Sequence, residues 1–425
     1  MDADVWWGAR TYRLMAKVAV SQVAGEPEAI RRLQRSSARY FQRPDREGST
    51  DGFFSNGWAT TLRGYGAYAR LAKDAGDWLW EVSANLRSPG FETNDVGFLT
   101  AADYVWTSAN LLRQFTTPTR YFRRLTLIAG GQQEVNYSGD LISRQLHAYA
   151  GAQLPNYWTV SGFYMRWPER DDDRLTRGGP VVRVPRGGHI SFNLSTDERG
   201  SIVLGTNPNL PWRANGTRDY NVNLSLTYRP ASNVSVRVGP GYSHRESATQ
   251  YVDAWDDATA EAFGGRRYLF GDLRQRTVSM DTRLSVTFTP ALSLELFAQP
   301  YISAARYSAF KEYEAPRTTR MRTYGEDFGT LTRTTDGYTV DPAGEAGGAA
   351  AYSFDDPDFN FRSLRGNAVL RWEYRPGSTL FLVWTQDRND TAPTGDLRLD
   401  RDRQALFSAP ADHIFQLKAS YWLNP

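Results

Sequence analysis

The chain has four histidines, no cysteine and a scatter of carboxylates with which to do chemistry. The absence of cysteine excludes disulfide staples and cysteine-ligated zinc or iron–sulfur sites. His147, His189, His244 and His413 stand far apart, and none falls in a metal spacing such as HExxH. There is no GxSxG elbow for a serine nucleophile. His147 alternates with Ser143, Gln145 and Tyr149, which favours a hydrogen-bonded wall residue over a ligand. His244 follows Ser243 near Asp253, Asp256 and Asp257. An imidazole beside carboxylates at a rim can activate water, but a solvated loop histidine is the favoured reading. The acidic stretch 387–396 hints at a calcium loop, yet the twelfth position from Asp387 is Arg398, where such a loop needs glutamate. The triplet Asp171, Asp172, Asp173 precedes Arg174 and Arg177. It could bind a cation, pair with its own arginines or touch a glycan, and internal pairing is favoured. No catalytic residue, metal or cofactor is expected.

A second set of charges lies inside apolar stretches. Lys17, Arg63, Glu81, Arg124, Arg237, Asp281, Arg283, Glu295, Arg371 and Glu373 each alternate with apolar neighbours. On a soluble sandwich they would form a solvated outer face. On a barrel they would line the lumen, as an aqueous passage or a salt-bridged plug. Arginine is used almost throughout in place of lysine, which occurs only at Lys17, Lys73, Lys311 and Lys418. That usage suits bidentate pairing with carboxylates, and a GC-rich genome would produce it equally.

The elements that must position these residues are strands. Tyr220, Val222, Leu224, Leu226 and Tyr228 alternate with Asn221, Asn223, Ser225, Thr227 and Arg229. Val278, Met280, Leu284, Val286 and Phe288 alternate with Ser279, Asp281, Arg283, Ser285 and Thr287. Tyr12, Leu14, Ala16, Val18 and Val20 oppose Arg13, Lys17 and Ser21, and Trp78, Trp80, Val82, Ala84 and Leu86 oppose Glu81, Ser83, Asn85 and Arg87. Period two marks strands with one apolar and one polar face. One short helix is expected within 26–35 (EPEAIRRLQR).

Tight corners recur at 228–233 (YRPASN), 288–291 (FTPA), 374–378 (YRPGS), 117–119 (TPT) and 154–156 (LPN), with 73–77 (KDAGD) and 197–200 (DERG) as proline-free equivalents. The alternate connections are long: 24–57, 88–97, 168–187, 208–217, 244–276, 304–360 and 389–412, with only 136–140 short. Short turns at one end and long loops at the other are the form of an outer-membrane barrel. Phe115, Tyr121, Trp78, Tyr157, Trp158, Tyr228, Phe288, Tyr374 and Tyr421 cluster near the tight corners as one aromatic girdle, and Trp167, Tyr220, Tyr301 and Trp384 would form the other.

Composition agrees. Aromatic content of 13% is too much to leave unfolded. A net charge of +3 argues against a nucleic-acid binder. A mean hydropathy of −0.55 excludes a helical membrane protein but not a barrel, whose alternation hides its apolar half. The expected fold is all-β, a transmembrane up-and-down antiparallel barrel of about sixteen strands with short periplasmic turns and long external loops. The strands fall at 11–23, 58–73, 77–87, 98–115, 119–134, 141–154, 157–167, 188–196, 200–206, 218–229, 233–243, 277–289, 292–303, 361–375, 378–388 and 413–423.

Four stretches carry a resemblance. Residues 32–44 read RLQRSSARYFQRP, 88–103 read SPGFETNDVGFLTAAD, 172–180 read DDRLTRGGP and 358–376 read DFNFRSLRGNAVLRWEYRP. Together they resemble the barrel region of the bacterial family catalogued as domain of unknown function 5916, whose members often carry a family-nine-type carbohydrate-binding domain ahead of the barrel. The resemblance implies a bacterial outer-membrane location, glycan handling and no established catalytic residue. On this reading 1–425 is one barrel domain, the C-terminal part of a longer precursor. Its expected partners are the lipid bilayer and a polar solute, plausibly carbohydrate, with no nucleic acid. Its expected role is binding or passage of that solute through a lumen lined by Lys17, Glu81, Arg124, Arg237, Asp281, Arg283, Glu295, Arg371 and Glu373. A hydrolase with its site at the loop rim, or a scaffold anchoring the carbohydrate-binding domain, are the alternatives.

Overall fold

A computed structural model describes residues 1–46, 59–94, 97–344 and 347–423. Part of the connection 24–57, Asp95 and Val96 of the second motif, and Glu345 and Ala346 lie outside the described residues. The chain is almost entirely strand. It opens with β1 (Asp2–Trp7), β2 (Tyr12–Ala24) and helix α1 (Pro27–Arg35), followed by β3 (Thr61–Lys73), β4 (Trp78–Arg87), β5 (Tyr104–Phe115), β6 (Arg124–Val135), β7 (Leu141–Gln153) and β8 (Thr159–Trp167). Two short strands, β9 (Arg170–Asp172) and β10 (Val182–Val184), precede β11 (Gly187–Ser195), β12 (Ile202–Thr206), β13 (Asn209–Arg213) and β14 (Arg218–Ala231). Three tall strands come next: β15 (Val234–Asp256), β16 (Arg266–Thr289) and β17 (Leu292–Tyr313). The rest are β18 (Met321–Thr323), β19 (Thr330–Arg333), β20 (Gly337–Asp341), β21 (Tyr352–Asp355), β22 (Phe359–Arg375), β23 (Ser378–Ala392), helix α2 (Leu399–Ser408) and β24 (Ala411–Ser420).

Nineteen of these strands form one sheet, in which strands adjacent in sequence are mostly adjacent in space and every pairing is antiparallel. β9 pairs with β10, and β19, β20 and β21 form a separate small sheet. β1 and β24 are the two ends of the large sheet, and no ladder joins them among the described residues.

Register sorts the side chains by face. Leu226 opposes Val238, Tyr228 opposes Val236, and Val236 opposes Leu284. Leu14 opposes Leu71, which opposes Val82. These apolar rows are exposed: Val20 at 82%, Leu146 at 69% and Leu224 at 51%. The opposite face carries rows such as Thr227, Arg237, Arg283 and Phe297, each directly opposite the next. Buried clusters gather instead at the long-connection end. One joins Trp255, Leu269 and Phe310 of the tall strands to Tyr324, Val340 and Phe354. Others hold Val182, Tyr268, Phe270 and Tyr313, and Ile30, Phe41 and Leu62.

The structure revises the expected layout in several places. Asp2–Trp7 adds a strand, because Gly8 at φ 59° and the residues after it fold β1 back on β2. The connection expected at 208–217 is half strand: Pro208 interrupts β12, β13 resumes, and Arg213 closes a tight turn on Thr217. The stretch 244–276 is a tall hairpin rather than a loop. Register shifts between Ser247 and Gln250 and between Tyr251 and Asp253 break the alternation and hid it. β17 likewise continues into 304–360, and that segment holds the small sheet β19–β21. α2 was not expected; α1 was. Arg63 opposes Gln22 on the apolar side, with Tyr65. Tyr301, opposite Ser279, and Trp167, in step with Phe163, lie on the polar face, which leaves Tyr220 and Trp384 of the second girdle.

Candidate functional site

The polar face is one candidate surface. Lys17, Glu81, Arg124, Arg237, Asp281, Arg283, Glu295, Arg371 and Glu373 all fall on it by register. They are spread across the sheet rather than gathered at one point. Arg237 Nε donates to Thr227 Oγ1 at 3.3 Å, Gln299 Nε2 donates to Asp281 Oδ1 at 2.7 Å, and Arg371 pairs with Glu373 at 3.1 Å. The guanidinium of Arg283 lies over the Phe297 ring at 5.2 Å.

The second candidate surface is the long-connection end, where the quoted motifs meet. Arg43, 1% exposed, reaches Asp173 at 2.7 Å, Asp140 at 3.7 Å and Asp45 at 3.8 Å. Asn136 Nδ2 donates to both Asp140 Oδ2 (2.9 Å) and Asp173 Oδ2 (3.1 Å). Arg39 pairs with Glu92 at 2.8 Å and Arg46 with Asp103 at 3.0 Å. Arg174 donates to the carbonyls of Ser37, Ala38 and Ala102. The first three motifs are thus stitched into one buried ionic layer. Burial lowers the pKa of Arg39 against the opposing pull of Glu92, and that of Arg46 against Asp103.

In the acidic triplet, Asp171 pairs with Arg183 at 3.2 Å, Asp172 with Arg170 at 3.4 Å, and Asp173 with Arg43. Asp172 Oδ1 also accepts the backbone N–H groups of Arg174 and Leu175. Arg177 covers the Tyr251 ring at 4.1 Å. The fourth motif does similar work: Arg362 binds Asp390 and Asp402, and Asn360 Nδ2 donates to the Asp396 carbonyl at 2.9 Å. The carboxylates of the stretch 387–396 are therefore committed to arginines, Asp387 to Arg365 and Asp396 to Arg401 and Arg398.

His244 sits within β15 rather than on a rim loop. It opposes Tyr220, with Glu246 at 3.5 Å. The acidic residues expected beside it are engaged elsewhere: Asp253 with Tyr352 Oη, Asp256 with Arg266 and Asp257 with Arg267. Among the described residues no group of three or more His, Asp or Glu is placed to hold a metal ion.

One further ionic centre lies among residues that the sequence does not single out. Buried Arg267 binds Asp257 at 2.5 Å and Glu312 at 2.8 Å, and Glu312 also takes Arg322 and the Tyr324 hydroxyl. Its members lie tens of residues apart, so no local pattern exposed it. Burial would raise the Asp257 carboxyl, but hydrogen bonds from Arg267 and Thr259 outweigh it and hold the group below its ordinary value.

Comparison with known proteins adds the family. The family model described as Domain of unknown function (DUF5916) matches residues 45–424. The chain belongs to the DUF5916 family. The DUF5916 match begins just past the first motif, yet Arg39 and Arg43 of that motif are bound into the same ionic layer. No curated protein matches the chain. Among solved structures, the crystal structure of the ferric enterobactin receptor (PfeA) in complex with BCV-L6 aligns over 98% of this chain and 69% of that one, at 9% identity and a TM-score of 0.40. So distant a likeness carries no argument about this DUF5916 chain.

Proposed function

We propose that this chain forms the wall of a closed β-barrel in a bacterial outer membrane and binds or passes a polar solute along its charged inner face. The observation that carries the reading is the register-sorted sheet: one face is a largely apolar exposed surface, with Arg63, Arg113 and Arg166 only near strand ends, and the other bears every one of the nine charges proposed to line the lumen. Soluble monomers do not expose contiguous apolar surface on this scale, whereas a lipid-facing barrel wall requires it. Strand length supports the same reading. A tilted strand crosses a bilayer in about 9–11 residues. The strands β15, β16 and β17, at 23, 24 and 22 residues, extend well beyond that and carry the buried loop-end cluster on their outer portion. The long connections form the receptor surface, held in shape by the buried arginine–carboxylate layer.

The experiment is reconstitution of detergent-purified protein in a planar bilayer. Discrete ion-conducting steps are expected. A protein that is a monodisperse monomer in plain buffer without detergent overturns the reading.

A further inference from the structure

Two neighbouring rows of the polar face, towards the tight-turn end of β4–β8, form a surface unlike the rest of that face. The first row reads Leu79, Leu112, Ile128, Tyr149 and Phe163, each directly opposite the next on successive strands. It is an apolar and aromatic stripe unbroken across five strands, on a face that elsewhere mixes charges, amides and hydroxyls with aromatics such as Phe297, Tyr301 and Trp167. The second row, two residues along each strand, reads Glu81, Asn110, Gly130 and His147. Gly130 apart, these residues line a cavity of about 440 Å³, within the range of about 300–1,000 Å³ usual for ligand pockets.

The polar row is internally wired. Arg70 Nε donates to Glu81 Oε2 at 2.8 Å, and its terminal nitrogens reach Asp74 at 3.0 and 3.3 Å. Asn110 Nδ2 donates to Glu81 Oε1 at 3.1 Å, and His147 Nε2 meets Asn110 Oδ1 at 2.9 Å. The carboxylate fixes the amide with its oxygen towards the imidazole, so Nε2 is the donor in that bond. The Asn110–His147 bond passes across Gly130. A Cβ there would stand 2.1 Å from Asn110 Oδ1 and 2.9 Å from His147 Nε2, so only glycine leaves room for it. His147 in turn stacks on Phe163 at 6.0 Å.

Charge and polarity select the ligand. The charged lining is Glu81 and Asp74 against Arg70 and Lys73, two of each sign, with Arg70 bonded to both carboxylates, so the cavity offers no net charge for an ion. A purely apolar ligand would strip water from Glu81, Asn110 and His147 without replacing its hydrogen bonds. A ring with apolar C–H faces and a rim of hydroxyls satisfies both rows at once. We propose that this cavity is a subsite for a neutral saccharide. Its ring lies along Leu112, Ile128, Tyr149 and Phe163, and its hydroxyls meet Glu81, Asn110 and His147. The proposal deepens the barrel-wall reading and rests on it for taking the polar face as the one the solute meets.

The test is calorimetric titration of the detergent-purified protein with three neutral trisaccharides: maltotriose, cellotriose and N,N′,N″-triacetylchitotriose. At least one is expected to bind saturably. Tyr149→Leu and Phe163→Leu should each weaken it about tenfold, the loss expected on removing an aromatic platform. Tyr149→Phe keeps the ring and should bind as the wild type does. No saturable heat with any of the three, on wild-type protein alone, overturns the proposal, as does unchanged affinity in both leucine variants. Failure of the barrel-wall reading shows separately, as a soluble monomer in buffer before any sugar is added.

Discussion

Leu226 and Ser225 are neighbours in sequence and opposites in surroundings. Leu226 belongs to the exposed apolar face, Ser225 to the polar one. An arginine placed mid-membrane on the lipid side costs roughly 2–4 kcal/mol, because its charge must leave water or drag water in. Leu226→Arg and Leu284→Arg are expected to lower the unfolding free energy, read from urea titration of the folded, heat-modifiable band, by that amount. Ser225→Arg and Ser285→Arg should leave it near wild type. These face assignments were legible in the sequence, because period two needs only a few consecutive residues. The ionic layer was not: Arg43, Asp140 and Asp173 lie far apart in the chain and meet only through the fold. Arg43→Met would leave buried Asp173 without its close arginine, while Asp140 keeps Arg317 and Asn136, and breaking a buried pair from one side costs roughly 3–5 kcal/mol. Limited proteolysis should then cut the loops at 36–46 and 171–180 while the strands of the large sheet stay intact. Adding Asp173→Asn to Arg43→Met should restore part of the protection; no recovery would mean that the two do not act as a pair.

Elements were legible where alternation was unbroken and obscure where bulges, short strands or long-range packing set the structure. β14, β22 and β23 fall close to their expected bounds. The upper parts of β15 and β16 do not, since two register shifts scramble the pattern there. α2 carries no N-cap side chain to announce it and is held by tertiary contacts. Its anchor is fully buried Asp402, bound by Arg362 at 3.2 Å and Arg401 at 2.8 Å. Burial alone would raise that carboxyl, but hydrogen bonds from Arg401, the Arg398 N–H and Asn360 outweigh it and hold the group below its ordinary value. A depressed carboxyl contributes stability that is present above the unfolded value of about 3.9 and lost as pH falls through the folded one. A spin label at exposed position 403 should therefore stay immobile from pH 8 to 6 and loosen once the pH drops below about 4. In an Asp402→Asn background it should be mobile already at neutral pH. A label equally immobile at all these pH values in both backgrounds would show that α2 does not depend on this carboxylate.

At the scale of the whole molecule the sorting of connections by end was the most legible feature, because turn chemistry is local. Strand number was less so. The even count overlooked β1, and its presence matters for closure. β1 and β24 both run from the long-connection end to the tight-turn end, since β1 leads into the turn at Gly8 and β24 ends opposite Thr379. Strands of like direction cannot pair antiparallel. β2 runs the other way, but β1 occupies its outer edge. An antiparallel closed barrel therefore needs either β1 to leave β2 or an odd number of further strands between the two ends. The orientation expected of the proposed wall does not depend on which of these holds. In outer-membrane barrels short turns face the periplasm and long loops face outward. The tight corners at 230–232 and 116–118 should then be shielded on intact cells, and the tall hairpin tip at 257–265 and the loop at 334–336 should be reachable. The chain has no cysteine, so single-cysteine labelling reads without background. Ala260→Cys and Thr335→Cys should react with a membrane-impermeant maleimide on whole cells. Ser232→Cys and Thr117→Cys should react only after the outer membrane is opened. The reverse pattern would invert the wall and move the arginine-bound loops to the periplasm. Equal reactivity of all four positions on sealed cells would remove the membrane that the apolar face is argued to meet.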